Sequence, residues 1–516
     1  MTHEKAAHSE SSSIYQRLAV ILFFGVMTVL FTFPVGDGDF FWHVKTGQWI
    51  WTHRALPAVD PFTFTTALSQ PSERIFMILK QYWLGQLAFY GIWHTWGEAG
   101  MVTLRAAIYS GILVFIYCWT RRYRGGLIPL CTVFLVGNVL RNYPNERPQL
   151  FAYAFFVLML YLLERILDRQ RESSIREGVA LCLLMVLWSN CHGSYIVGVV
   201  LLGISLATHA AIRIVAREPV DRSTCITLVG AMLATLLNPT GFTAFAVFFG
   251  LKQDYTSRIT EYVSPITLAL RHHLFDYAFW ALVVLTILVL VMRNRQIRLQ
   301  HLAIVLPLLV LAMTGVRYLP FFALAAPLVT RYLPEVRANG KLALVPLVAV
   351  LIWAGGSDYH NTMKFRAEKA FPLEAASFLN RVKPPGNIFN YMPWGGYLMC
   401  HTTYPVFVDG RALNEEYIRL HDAVLAGDGW QQILDRYAIQ TMIIPGTDML
   451  STSAYPVLLQ MLQETAWVLV HQDDVALVFV RNTPQNRDLL TRHALSKDLI
   501  AEHIKARWQW QSTLSF

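Results

Sequence analysis

Charge is what this 516-residue chain lacks: only 15% of its residues are Asp, Glu, Lys or Arg, against roughly 25% in ordinary soluble domains. With 54% hydrophobic residues, that shortage excludes a uniformly soluble protein and points to a membrane chain. The shortage is uneven. Residues 14–355 are mostly apolar runs broken by short basic loops, whereas 356–516 have an ordinary soluble composition. Cysteine is scarce and unpatterned: Cys118, Cys131, Cys182, Cys191, Cys225 and Cys400 form no CxxC and no metal-ligand spacing, so neither a disulfide framework nor a zinc module is expected. No internal repeat is found, which argues against a transporter built from inverted halves. No small-residue cleavage site follows the first apolar run, 18–35, which reads as an uncleaved signal anchor. The net charge of +9 does not point to nucleic acid, because the basic residues lie in short loops between apolar runs rather than along a groove.

Apolar runs fall at about 18–35, 99–119, 126–140, 148–163, 178–192, 195–212, 224–238, 274–292, 301–315, 317–330 and 342–355. An isolated span needs roughly 20 residues, so the ends of the shorter runs are soft. With the N-terminus (residues 1–17) in the cytoplasm, alternation places Arg121, Arg122 and Arg124, then Arg165, Arg169, Arg171 and Arg176, then Arg213, Arg217 and Arg222, then Arg293, Arg295 and Arg298, then Arg331, Arg337 and Lys341 inside. The external loops receive few cations, which is the positive-inside pattern. Counting 76–96 as a span would invert everything downstream. It is therefore expected as an interfacial or re-entrant helix in a long first external loop, 36–98, its Trp83, Trp93 and Trp96 suiting an interface. The expected architecture is mostly α: a polytopic helical membrane domain over 18–355 with about eleven spans, then a soluble α/β domain over 356–516 on the external side.

Polar motifs gather on that same side. Gly36-Asp37-Gly38-Asp39-Phe40-Phe41-Trp42-His43 opens the first loop. Its paired carboxylates could hold a divalent metal, or one could act as general base on a hydroxyl; equally, Asp39 could simply N-cap a helix running through Trp51. Asp60-Pro61-Phe62-Thr63 reads as a turn. In Asn142-Tyr143-Pro144-Asn145-Glu146-Arg147-Pro148-Gln149, Arg141 and Arg147 could grip a phosphate, or the segment could be only a capped helix start. Trp188-Ser189-Asn190-Cys191-His192-Gly193 joins two spans, and Asn190 and His192 are either ligand groups or packing glue. Asn238-Pro239-Thr240-Gly241 is a turn, and the stretch 242–273, with Glu261, Arg271 and His272, reads as a surface cover. Arg317, alone between two apolar runs, wants an anion: a lipid phosphate, or the phosphate of a lipid-linked substrate. In the soluble part, strands are expected at 387–390, 405–408, 441–445, 466–472 and 475–480, and helices at 372–383, 413–426, 429–438 and 484–508. Asp409 and Arg411 follow a strand's end, a common ligand position, or form a local structural ion pair.

The succession Asp37-x-Asp39-x-x-Trp42-His43-x-x-x-Gly47, Leu56-Pro57, Asp60-Pro61-Phe62, Arg147-Pro148-Gln149, Trp188-x-Asn190-x-His192-Gly193, Asn238-Pro239-x-Gly241, Arg317-x-x-Pro320, Trp394-Gly395-Gly396-Tyr397 and Val408-Asp409-Gly410-Arg411 resembles bacterial membrane proteins of the GT-C glycosyltransferase class. The resemblance runs over about 36–450. It implies transfer of a sugar from a polyprenyl-phosphate-linked donor at the external membrane face, with an essential acid in the first external loop, by motif position Asp39 or Asp37. Many relatives carry Glu just before the Trp-Leu that matches Trp83-Leu84. Tyr82 stands there in this chain, with Glu73 as a substitute.

The expected activity is thus a glycosyltransferase of the bacterial inner membrane, taking a polyprenyl-phosphate-linked sugar and a lipid or glycan acceptor of the envelope. Asp39, Asp37 and His43 are the candidate catalytic group, with Mg or Mn at Asp37 and Asp39 as the optional cofactor. Arg141, Arg147, Asn190, His192 and Arg317 are the candidate substrate-binding group. The rivals are a non-catalytic envelope assembly or scaffold protein of the same fold and a transporter.

Overall fold

The computed structural model of the chain describes residues 17–70, 72–143, 146–168, 175–250, 260–272, 276–293, 296–335, 370–448 and 453–513. The eleventh apolar run, 342–355, lies outside them, as do Pro144 and Asn145. The backbone divides into two compact units, one of residues 1–34 and 95–362, the other of 35–94 and 363–516. The first loop therefore belongs with the C-terminal segment rather than with the helices that follow it in sequence.

The first unit is helical. Its helices are Arg17–Val29, the part of Trp83–Arg121 that follows Gly97, Ile128–Asn142, Gln149–Ile166, Ile175–Cys191, Tyr195–Val215, Arg222–Ala234, Thr243–Gly250, Pro265–His272, Tyr277–Arg293, Leu299–Thr314, Leu319–Leu324 and Pro327–Thr330. Among the described residues, three helices are long and apolar enough to cross a membrane: Trp83–Arg121, Gln149–Ile166 and Tyr195–Val215. Arg17–Val29, Ile128–Asn142, Arg222–Ala234, Tyr277–Arg293 and Leu299–Thr314 are apolar but shorter. The long helix is interrupted at Gly97, whose φ of 58° and ψ of −147° lie outside helical values. Residues 83–94 thereby fall in the other unit, apart from the apolar run that starts at 99.

The run 317–330, expected as one span, is instead two short helices, Leu319–Leu324 and Pro327–Thr330. Pro320 and Pro327 both sit at first-turn positions, where a ring without an N–H starts a helix but cannot continue one. Residues 319–331 are buried throughout, so this segment is core. Phe321 meets Phe156 and Tyr153 edge-on at 5.0 and 5.5 Å. A buried polar brace joins four helical segments: Glu164 accepts from Trp119 Nε1 (2.8 Å) and pairs with Arg331, while His301 bonds Tyr332 (2.8 Å).

The second unit carries a four-stranded sheet, β1 Asn387–Asn390, β2 Ile439–Ile444, β3 Trp467–Gln472 and β4 Leu477–Arg481, in the order β1-β2-β4-β3. β1 and β2 are parallel, and the other two pairings are antiparallel. Leu477, Val478, Phe479 and Val480 of β4 are all fully buried, the unalternating pattern of a strand covered on both faces. Helices Leu373–Val382, Glu415–Ala426, Trp430–Arg436, Pro456–Gln463, Arg487–His493 and Asp498–Thr513 complete an α/β unit. The strand expected at 405–408 is not part of the sheet. Its Val406 pairs instead with the first loop, donating to Phe62 O at 3.0 Å and accepting from Phe64 N at 3.2 Å. Asn390, buried at the end of β1, holds the same stretch through Phe407 N and Val408 O, each at 2.8 Å.

Beneath that pairing lies a buried ion triad. Arg411 forks onto Asp60 (2.9 and 2.8 Å) and onto Asp409 (2.8 Å from both Nε and Nη2), and Thr63 Oγ1 donates to Asp409 at 2.6 Å. The local pair expected between Asp409 and Arg411 is present, extended by a partner from the first loop. Burial raises the Asp60 carboxyl against the pull of Arg411. Burial acts the same way on Asp409, but Arg411 and the hydrogen bonds outweigh it and hold that carboxyl below its ordinary 3.8. Ionised Asp409 therefore stabilises the fold fully above that value, and the contribution is lost as pH falls below it through the lower folded-state pKa. Asp60 has the opposite sign: its ionisation subtracts stability as pH rises past the ordinary range. Arg411→Met should cost about 3–5 kcal/mol by leaving two carboxylates buried without their cation. Asp409→Asn should cost more than Asp60→Asn. Urea unfolding of the full chain in detergent, followed by tryptophan fluorescence, checks the ranking, and the reverse order would contradict it.

Candidate active site

In the second unit, the helix Gly38–His53 begins at the first carboxylate pair. Asp37, not Asp39, is the N-cap: its Oδ1 accepts the Asp39 N–H at 2.9 Å. Such a cap contributes about 1 kcal/mol. Asp39 is then in the first turn, where the helix dipole favours a carboxylate, and it is half-buried. Its carboxylate packs against Gly410, so closely that a Cβ there would collide with Oδ1. Gly396 plays the matching role for the backbone, since a Cβ on it would lie 2.6 Å from Gly38 O. The Gly38–His53 helix and the helix Gly395–His401 can approach this closely only because those positions carry no side chain. The glycines of three separate sequence motifs are thus parts of one packing arrangement around Asp39.

His43 lies one helical turn beyond Asp39 on the same face. It is buried, its ring overlies Trp42 with centroids 3.5 Å apart, and Nδ1 meets Gln86 Nε2 at 3.4 Å. Tyr82 packs edge-on to His43 at 5.5 Å. Among the described residues no group of three or more His, Cys, Asp or Glu could hold a metal ion. Asp37 is engaged as a cap, so the donor set at Asp37 and Asp39 does not fit a divalent cation by itself.

The first unit gathers cations around a turn. Arg147 Nη1 pairs with Glu261 Oε1 at 2.9 Å, and Arg317 lies over the Tyr262 ring at 4.6 Å. The same two arginines act on His192, a buried side chain just past the helix Ile175–Cys191. Burial first, then the Arg317 and Arg147 charges, lower its pKa to about 3. Its Nδ1 accepts from Ser194 N at 3.1 Å, which leaves the neutral ring with its proton on Nε2. Arg147, Arg317 and His192, widely separated in sequence, are therefore brought together. Arg141 is buried in the last turn of Ile128–Asn142. Asn190 is glue, donating to Val186 O (2.8 Å) and Leu237 O (2.9 Å). Asn238 caps its own turn, accepting from Thr240 N at 2.8 Å.

Two features escaped the sequence reading. Glu261 was assigned to a surface cover, and nothing in its neighbours marks its partner. Arg105 lies within an apolar run, where a lone charge is costly, so that signal was available. It is fully buried, pairs with buried Glu146, and donates Nε to Phe31 O at 2.9 Å.

The fold is similar to that of solved archaeal oligosaccharyltransferases. The oligosaccharyltransferase of Archaeoglobus fulgidus, in complex with Zn and sulfate, aligns with a TM-score of 0.53 at 10% identity over 84% of this chain and 68% of that one. The same organism's AglB, in complex with an inhibitory peptide and a dolichol-phosphate, aligns at 0.50 and 10% identity over 92% and 75%. ArnT of Cupriavidus metallidurans bound to undecaprenyl phosphate aligns at 0.49 and 11% identity over 92% and 98%. No family model and no curated protein matches the sequence.

The Gly410 contact makes a testable demand. Gly410→Ala should destabilise the protein by about 1–3 kcal/mol through overpacking, and adding Asp39→Ala should recover most of the loss. Thermal melting of the single and double variants measures this; a Gly410→Ala protein as stable as the parent would show that the contact is not tight.

Proposed function

We propose that this chain is a membrane glycosyltransferase that moves a sugar from a polyprenyl-phosphate-linked donor to a lipid or glycan acceptor of the envelope, at the outer face of the bacterial inner membrane. The observation that carries the reading is the convergence of Arg147, Arg317 and a neutral His192 in the helical unit. Two guanidinium groups and an N–H donor suit a phosphate whose negative charge grows as the sugar leaves. The GT-C fold supports it, because the archaeal protein of that fold is seen with a dolichol-phosphate.

In this reading Asp39 takes the proton of the acceptor hydroxyl. The new C–O bond forms at the sugar's anomeric carbon with inversion, the bond to the phosphate oxygen breaks, and the polyprenyl phosphate departs with the electron pair. Asp37 fixes the helix start that presents Asp39, and His43 orients that helix through Gln86. The cation-rich loops stay in the cytoplasm and the α/β unit lies outside. The archaeal protein of this fold is seen with Zn and sulfate, but Asp37 and Asp39 alone do not make a divalent-cation site, and the base role of Asp39 needs none.

A second reading, a scaffold that keeps the fold without catalysis, is favoured by one observation: Tyr82 occupies the place of a frequent loop glutamate and is packed against His43. One variant separates the two. Asp39→Asn should abolish sugar transfer from a polyprenyl-phosphate donor, by about a hundredfold or more, while leaving expression and melting temperature near those of the parent. Transfer retained in full would refute the base role of Asp39, and transfer absent from the parent chain itself across polyprenyl-phosphate sugars would favour the scaffold.

A further inference from the structure

Glu261 sits inside the cation cluster rather than beside it. The turn Thr260–Tyr262 is fastened to the segment that carries Arg317: Val316 N–H donates to Val263 O at 3.0 Å, and Gly315 is packed so close that a Cβ would lie 3.2 Å from Glu261 O. Tyr262 faces the Arg317 guanidinium. The carboxylate that this turn presents reaches Arg147 at 2.9 Å. Burial alone would raise that carboxyl, but the Arg147 and Arg317 charges overcome it and keep the group ionised. Of the two cations proposed to receive a phosphate, Arg147 thus already holds a carboxylate supplied by the chain, and Arg317 lies over the residue next to it.

We infer that Glu261 is a resident counter-ion, which an anionic phosphate headgroup displaces when it binds between Arg147 and Arg317. This rests on the proposed anion role of those arginines and extends it. Affinity for phosphate then reflects exchange of one anion for another, not simple attraction to two unanswered charges. The headgroup has to supply more acceptor oxygens than the carboxylate gives up. A tetrahedral phosphate has enough to bridge both guanidinium groups and the His192 Nε2–H, whereas a single carboxylate does not. The arrangement discriminates against lone carboxylates and weakly basic anions, and it keeps the arginines extended and partly desolvated while the site is empty.

A plain structural brace predicts the opposite sign on substitution, because removing the carboxylate would let the arginines collapse or reorient and weaken phosphate binding. The test is therefore a direction. Binding of polyprenyl phosphate and of inorganic phosphate is measured on the full chain in detergent micelles for the parent, Glu261→Gln, Glu261→Met, Glu261→Asp and Arg147→Gln. Both neutral variants should bind both ligands about fivefold more tightly, since even a partly exposed counter-ion is worth a substantial part of a tenfold step. Two variants are read so that the result does not hang on the folding of one. Glu261→Asp should stay within about twofold of the parent, and Arg147→Gln should weaken both ligands. Unchanged or weaker binding in the neutral variants overturns the counter-ion role. Tightening for inorganic phosphate but not for polyprenyl phosphate upholds displacement and removes the lipid-donor reading. Failure of every chain to bind either ligand overturns both.

Discussion

The α/β unit depends on one buried cation. Arg411 is enclosed by two carboxylates, Asp60 from the first loop and Asp409 two residues before it. A buried guanidinium in that position cannot be left with one partner without a large penalty, so residues some 350 apart in sequence have to come together for either to be satisfied. The consequences spread outward. Thr63 bonds Asp409, its neighbours Phe62 and Phe64 pair with Val406, and Arg74 donates to Ala412 O at 2.9 Å. Asp409 is followed by Gly410, the residue against which Asp39 packs. The candidate base is thus positioned at one remove by the ion triad.

The helical unit obeys the same rule with different residues. Arg105, enclosed with Glu146 and the carbonyls of Phe31 and Phe33, fixes the chain just after it leaves the helix Arg17–Val29. The adjacent Arg147 turns instead toward Glu261. Neighbouring residues of opposite charge, Glu146 and Arg147, therefore serve two separate ion pairs, one fully buried and one half-exposed. A charge in apolar surroundings persists only when paired. That a half-exposed pair lies next to the ring under a further cation, Arg317, is what gives this part of the unit its chemical interest.

Much of the fold was legible because its signals are local. Apolar runs bounded by Arg clusters became helices near the expected places, and β1, β2, β3 and β4 fell where β-branched and aromatic residues run between turn residues. Asp37 as a helix start was legible in kind but displaced by two residues, since the expectation put the cap at Asp39. The long-range features were not. Val406 has strand-like neighbours but pairs with a loop, and no local pattern tells Asp60 from any other turn aspartate. Whether 317–330 is one span or two buried turns was decided by Pro320 and Pro327, which hydropathy ignores. Around the cation cluster, the alternation of basic loops puts Arg141, Arg147, Asn190, His192 and Arg317 on one side without telling which of them meet, and Glu261 stands in a stretch that reads only as a surface cover. An ion pair between distant residues leaves no mark on the sequence near either of them.

The central claim is that Arg411 makes the first loop and the C-terminal segment one cooperative structure. Amide hydrogen exchange on the parent chain and on Arg411→Met, read for residues 60–66 and 405–412, tests it most directly. The account predicts that both stretches lose protection together, to a similar degree. Loss confined to the loop, with 405–412 as protected as in the parent, would contradict it.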